Sequence, residues 1–233
     1  MQHYTYLLIN FFTILIPFLF SFERRIFFIK KLPALFPAII LTGTFFIIWD
    51  HYLTVWNVWG FNKEYVLGYY LWDLPIEEWL FFITIPYSCV FIYESLNFLF
   101  KKDQLFSISK NISWILIVVL SIVVLFNADK LYTSIKFTST ALFLLYVVRK
   151  KASLLGKFYR AYLVSLVPFF IVNGILTALP VVTYNNAENL GIRIGTIPIE
   201  DTVYSMLLLL MNVTLYEFFK KINLHNAKPS SNY

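Results

Sequence analysis

The chain is predicted to be an all-α polytopic membrane protein in which seven transmembrane helices form two parallel three-helix repeats plus one connecting helix (3+1+3). Three observations carry that prediction. First, the 233 residues are 59% apolar and 14% charged, with mean hydropathy +0.70, which leaves room for about seven spans of roughly 20 residues and no separate soluble domain. Second, apolar runs fall near 4–21, 33–50, 75–99, 111–127, 131–148, 158–180 and 198–219, each bounded by charged or Pro/Gly-bearing breaks. Third, the chain repeats itself. Pro75-Ile76-Glu77-Glu78 returns as Pro198-Ile199-Glu200-Asp201, 123 residues on, and the same ungapped offset pairs Tyr93-Glu94 with Tyr216-Glu217, Gly68 with Gly191 and Asp50 with Asn173.

Taken in order, the first run lacks a basic leader, and charges follow it instead as Glu23, Arg24, Arg25, Lys30 and Lys31. It therefore reads as a retained helix rather than a cleaved signal peptide. Residues 1–100 form the first three-helix unit, 101–130 the connector, 131–224 the second unit and 225–233 a polar tail expected to be disordered. Because four spans precede the second unit, both units enter the membrane in the same sense and both acid motifs lie on one side.

Charge sets which side. Fifteen of the nineteen Lys and Arg sit in the loops 22–32, 100–110 and 149–160 and after 219, while the opposite loops hold Lys63, Lys130 and Arg193, and Lys136 lies inside the fifth span. Under the positive-inside rule the N-terminus is outside and the C-terminus cytoplasmic, in a cell inner membrane. The net charge of +6 is then a topological signal, so no nucleic acid is implied. Both motifs open their helices at the outer face, after long loops running from Trp49 to Trp72 and from Val181 to Thr196.

The acids are the candidate chemistry. Six of the thirteen lie in the repeat, and carboxylates are costly in lipid. Proline at the first helical position and acids in the first turn also suit a plain helix start. Recurrence of Pro, Ile, Glu and a second acid in order argues for more, because a cap alone accepts Ser, Thr, Asn or Asp. Adjacent carboxyls repel, so one can stay protonated while its neighbour ionises, which is an acid/base pair. Glu77, Glu78, Glu200 and Asp201 are therefore expected to converge on one outer cavity as catalytic residues. Asp50 and Asn173, ending the second helix of each unit, could approach them, with an outer-loop role as the alternative; His51 could relay protons but has only Gly174 as its counterpart.

Glu94 and Glu217 lie seventeen residues further along, about 25 Å away at 1.5 Å per residue. They cannot share that site and read as anchors beside Tyr93 and Tyr216.

Several classes lose their markers. One cysteine, Cys89, excludes an intramolecular disulfide and a cysteine-built metal cluster. There is no dinucleotide fingerprint among the seven glycines, no Walker loop, no zinc-protease motif, no Asp-rich magnesium-diphosphate motif, and no lysine in the last apolar run for a retinal Schiff base. Aromatics make up 20% of the chain; most read as core and interfacial belt, and some could line a cavity where ring faces stabilise a cation.

The paired motifs and the 3+1+3 layout resemble the integral-membrane lycopene cyclases of the heterodimeric or fused type. Pro75-Ile76-Glu77-Glu78 and Pro198-Ile199-Glu200-Asp201 are similar to that family's Pro-x-Glu-(Glu/Asp) motif, one per half, and the resemblance covers nearly the whole chain. It implies lycopene and other linear carotenoids, dissolved in membrane lipid, as substrate. It also implies redox-neutral cyclisation of their linear ends to β-ionone rings, giving β-carotene by way of γ-carotene, with no flavin or other cofactor. One motif would act as acid and the other as base. Departures are the Asp50/Asn173 difference and a second unit poorer in Trp. The rival reading is a small proton-coupled transporter, since sugar carriers of the SWEET type share the 3+1+3 topology.

Overall fold

In hydrocarbon a backbone must satisfy its own hydrogen bonds, so each apolar run closes on itself as a helix. The computed structural model, which describes residues 2–226, has seven such helices: α1 (Thr5–Phe20), α2 (Leu32–Val55), α3 (Ile76–Leu99), α4 (Phe106–Phe126), α5 (Leu131–Lys150), α6 (Leu155–Ala178) and α7 (Ile199–Asn226). All seven are long and apolar enough to cross a membrane. Six short strands interrupt the two long loops: β1 (Trp59–Phe61), β2 (Tyr70–Leu71), β3 (Leu74–Pro75), β4 (Val182–Tyr184), β5 (Arg193–Ile194) and β6 (Ile197–Pro198). Of the tail expected over 225–233, residues 227–233 lie outside the described residues.

Neither Asp50 nor Asn173 ends its helix as expected. Helix α2 continues to Val55, so Asp50 lies inside it and not at its end, and Asn173 is likewise five residues short of the end of α6. Hydropathy stops at a charged residue, but a charge that finds partners within the bundle does not end a helix. The prolines also differ from expectation: Pro75 and Pro198 are the last strand residues before α3 and α7, with Pro75 extended at φ −63° and ψ 149°. They set the chain's entry into the helix.

The repeat is visible in the packing. Within units α1 packs on α3 as α5 packs on α7; between units the contacts are exchanged, α2 on α7 and α6 on α3. Strands β1 and β4 pair antiparallel with Gly60 opposite Thr183. Those two residues are repeat equivalents, so an approximate two-fold axis passes between them. The connector α4 lies against α5 and α6, on the second unit's side.

At the end remote from the acid motifs, the two units are tied by a reciprocal exchange. The Tyr93 hydroxyl of the first unit donates to Glu217 Oε1 of the second at 3.1 Å, and Tyr216 of the second donates to Glu94 Oε1 of the first at 2.9 Å. Glu94 is 4% exposed and also receives Lys31 Nζ and, at 2.5 Å, Lys220 Nζ. These two acids join the repeats and take no part in the site at the other end.

Glu94→Gln is expected to lower stability by about 2 kcal/mol, the scale of a charge-assisted buried hydrogen bond. Glu217→Gln, at a side chain 25% exposed, should cost less. Thermal unfolding in detergent reads the difference; equal shifts would mean that the additional lysine at Glu94 contributes nothing.

Candidate active site

Each acid motif divides its labour between its two carboxyls. The first faces the loop that precedes its helix: Leu67 N–H donates to Glu77 Oε1 at 2.6 Å, and Leu190 N–H donates to Glu200 Oε1 at 2.7 Å. The loop presents that amide because the next residue, Gly68 or Gly191, adopts φ +86° or +71°, a region open to glycine at little cost. This explains why the glycine recurs with the motif. Asn10 Nδ2 holds the Glu77 carbonyl at 3.0 Å, and Thr133 Oγ1 donates to Glu200 Oε1 at 2.7 Å. Both glutamates are fully buried, and Oε2 of each has no hydrogen-bond partner among the described residues.

The second carboxyl of each motif, Glu78 or Asp201, faces a cavity between the units. Its space, including the open mouth, is about 1010 Å³. Helices α3, α6 and α7 form most of its wall, with Tyr6 and Thr13 from α1, Lys136 from α5, and Trp59, Val182 and Tyr184 from the paired strands. The lining along α3 runs from Glu78 to Ile92, about 21 Å at 1.5 Å per residue. Beyond the acid end it is mostly apolar, and the helix prolines Pro86 and Pro168 face into it. It is a tube with its charged groups, Glu78, Lys136 and Asp201, at one end and scattered hydroxyls along the rest.

The two carboxyls are held differently. Glu78 accepts a hydrogen bond from the Tyr6 hydroxyl at Oε2 and has no other side-chain donor among the described residues. Asp201 accepts four. Tyr132 OH at 2.5 Å and Lys136 Nζ at 3.1 Å reach Oδ1, while Tyr184 OH at 2.7 Å and Asn173 Nδ2 at 3.1 Å reach Oδ2. An ionised carboxylate offers about four lone-pair sites, so this shell suits the anion. Lys136 is 1% exposed and sits over the faces of Tyr132 at 3.5 Å and Tyr204 at 4.2 Å from the ring centroids. A buried ammonium needs such partners. Burial, with the Asp201 carboxylate beside it, pushes the Tyr184 phenol well above the ordinary tyrosine range, so it stays a neutral donor.

The site thus takes in Glu78, Asp201 and Asn173, but neither Glu77 nor Glu200 lines it. Asp50 is fully buried behind Tyr204, whose hydroxyl donates to its Oδ2 at 2.8 Å; its Oδ1 has no partner among the described residues. His51 bonds the Trp72 carbonyl at 3.0 Å and does not line the cavity.

Sequence reading missed Tyr6, Tyr132, Tyr184, Tyr204 and Lys136. A signal existed for three of them. Tyr6 and Tyr132 are counterparts, as are Asn10 and Lys136, but at an offset of 126 rather than 123, because the segments joining the first and second helices of the two units differ in length. A lysine within a span was the other clue.

Removing the loop-facing carboxyls should leave the amides of Leu67 and Leu190 without acceptors. Glu77→Ala and Glu200→Ala are expected to speed hydrogen exchange in those loops by roughly tenfold or more, as for loss of about 1.4 kcal/mol or more of protection. Unchanged exchange would show that the loops are held by other contacts.

A family model described as Lycopene cyclase matches residues 3–96 and 129–219, one segment in each repeat. A curated bifunctional lycopene cyclase/phytoene synthase of Colletotrichum graminicola is 45% identical over 49 residues, which is 21% of this chain and 8% of that protein. No solved structure matches. With the family model covering most of both repeats and joining them as the geometry does, the chain belongs to the lycopene cyclase family.

Proposed function

We propose that the protein is a lycopene β-cyclase, converting the linear ends of lycopene to β-ionone rings by proton transfer alone. The observation that carries this reading is a mostly apolar tube about 21 Å long that ends at two unlike carboxyls, Glu78 and Asp201. A hydrocarbon dissolved in the bilayer can fill such a tube, and its end group then lies at the acids. By the distribution of Lys and Arg, that end faces outward and the C-terminus is cytoplasmic.

In this mechanism Glu78 is the acid. It protonates the terminal C1=C2 double bond at C2; the C5=C6 double bond attacks the cation at C1 and closes the ring, moving the positive charge to C5. Loss of the C6 proton then forms the C5=C6 double bond of the β-ring. Asp201 is the base, acting through Tyr184: the phenol oxygen takes the C6 proton as its own hydroxyl proton passes to Oδ2. Lys136 offsets the Asp201 charge, and aromatic side chains of the cavity wall such as Phe81 stabilise the passing cation. Exclusion of water prevents its capture as an alcohol. No electron carrier enters, because the reaction is an isomerisation.

Two experiments test this. Expression in lycopene-accumulating bacteria, with pigments separated by chromatography, should give bicyclic product from the wild type and none from Glu78→Gln or Asp201→Asn at comparable membrane levels. Either isostere retaining wild-type conversion would overturn its role. Tyr184→Phe removes the relay but not the cavity, so conversion should fall by about 100-fold, the scale of general acid–base assistance, with hydrated or ε-ring by-products rising. A proportional loss with an unchanged product ratio would place the base elsewhere.

A further inference from the structure

The approximate two-fold symmetry of the helices is not obeyed by the cavity. The offset that relates the units assigns each lining residue a counterpart, and three decide the outcome. Val172 and Ser205 on the cavity wall correspond to Trp49 and Phe82, while Leu166 corresponds to Gly43. On the counterpart side Phe46, Trp49 and Phe82 are 0%, 9% and 1% exposed. Phe46 stacks on Trp49 at 5.8 Å and on Phe82 at 5.8 Å, and meets Tyr204 edge-on at 4.9 Å. A Cβ on Gly43 would meet the Phe82 Cβ at 3.5 Å, an ordinary van der Waals contact, so Phe82 packs directly against this position. Large replaces small where space would otherwise open, and small replaces large behind it.

The chemistry is unequal in the same direction. Lys136 corresponds to Asn10, which carries no charge, and Tyr184 to Phe61, which has no hydroxyl. The four-donor shell of Asp201 has no copy around Glu78.

Resting on the cyclase reading, we propose that each chain holds one reaction cavity, its symmetry counterpart being plugged by Trp49 and Phe82. A linear carotenoid is therefore cyclised at one end per visit and must leave and re-enter reversed for the second. A rod-like polyene with one end at the acids cannot turn end for end within the tube.

The test uses the full chain in liposomes with lycopene in large excess. Free monocyclic product should accumulate first and bicyclic product appear after a lag; bicyclic product from the first turnovers with no free monocycle overturns the proposal. Ser205→Phe copies the plug into the cavity and should abolish both products, whereas wild-type turnover in the folded variant overturns it. Should that variant not fold, the time course decides alone. A third measurement needs no cyclase activity. Cys89 lines the cavity and its counterpart is Asn212. A small membrane-permeant thiol reagent should label wild-type protein but not the Cys89→Asn, Asn212→Cys double variant. Equal labelling overturns the single cavity; unequal labelling with no ring formed by the wild type would sink the cyclase reading and leave the single cavity standing.

Discussion

The structure is organised around one buried carboxylate that membrane hydrocarbon cannot solvate. Asp201 is held by donors from three other elements, Tyr132 and Lys136 of α5, Asn173 of α6 and Tyr184 of β4. Each donor fixes the position of the element it comes from relative to the start of α7. Removing any one would leave an under-satisfied charge where water is scarce, a cost of several kcal/mol in such surroundings. The arrangement of the second unit and the polar end of the cavity are thus set by the same contacts.

Duplication supplies the scaffold for this. Because each unit lends its second helix to the other's third, neither can bury its apolar faces alone, and the exchanged Tyr93–Glu217 and Tyr216–Glu94 contacts close the far end. The pairing of β1 with β4 about Gly60 and Thr183 closes the near end. Between these two ties the helices enclose the cavity, and side-chain size decides which half of the interior stays open.

Much of this was legible in the sequence, for identifiable reasons. Spans are read from hydropathy because the bilayer imposes a length, and the repeat was read because α2, α3, α6, α7 and both loops keep one offset. What escaped depended on three dimensions. Asp50 read as a helix end because its partner, Tyr204, lies 154 residues away. Lys136 was placed inside the fifth span without a role, because its counterpart is a neutral Asn10 at a different offset. The division within each motif, first carboxyl to the loop and second to the cavity, follows from helix geometry, since adjacent residues point about 100° apart at 3.6 per turn. Sequence order alone assigns no direction to either.

Cyclisation by proton transfer asks for two unlike groups, one that gives a proton and one that takes it. Duplication of a single motif yields like groups, two carboxyls in equivalent places. Equivalent carboxyls sharing one cavity would repel and offer no fixed assignment of donor and acceptor. The substitutions that break the symmetry fall where they resolve this. Lys136 in place of asparagine and Tyr184 in place of phenylalanine surround one carboxyl with donors and a positive charge, while the other keeps a single phenol. The Glu to Asp change in the second motif shortens that side chain by one methylene and leaves room for the four donors. The same divergence that fills one half of the interior therefore gives the remaining half unlike sides, Glu78 with a single phenol on one and Asp201 within four donors on the other, which is the asymmetry the proposed reaction would use.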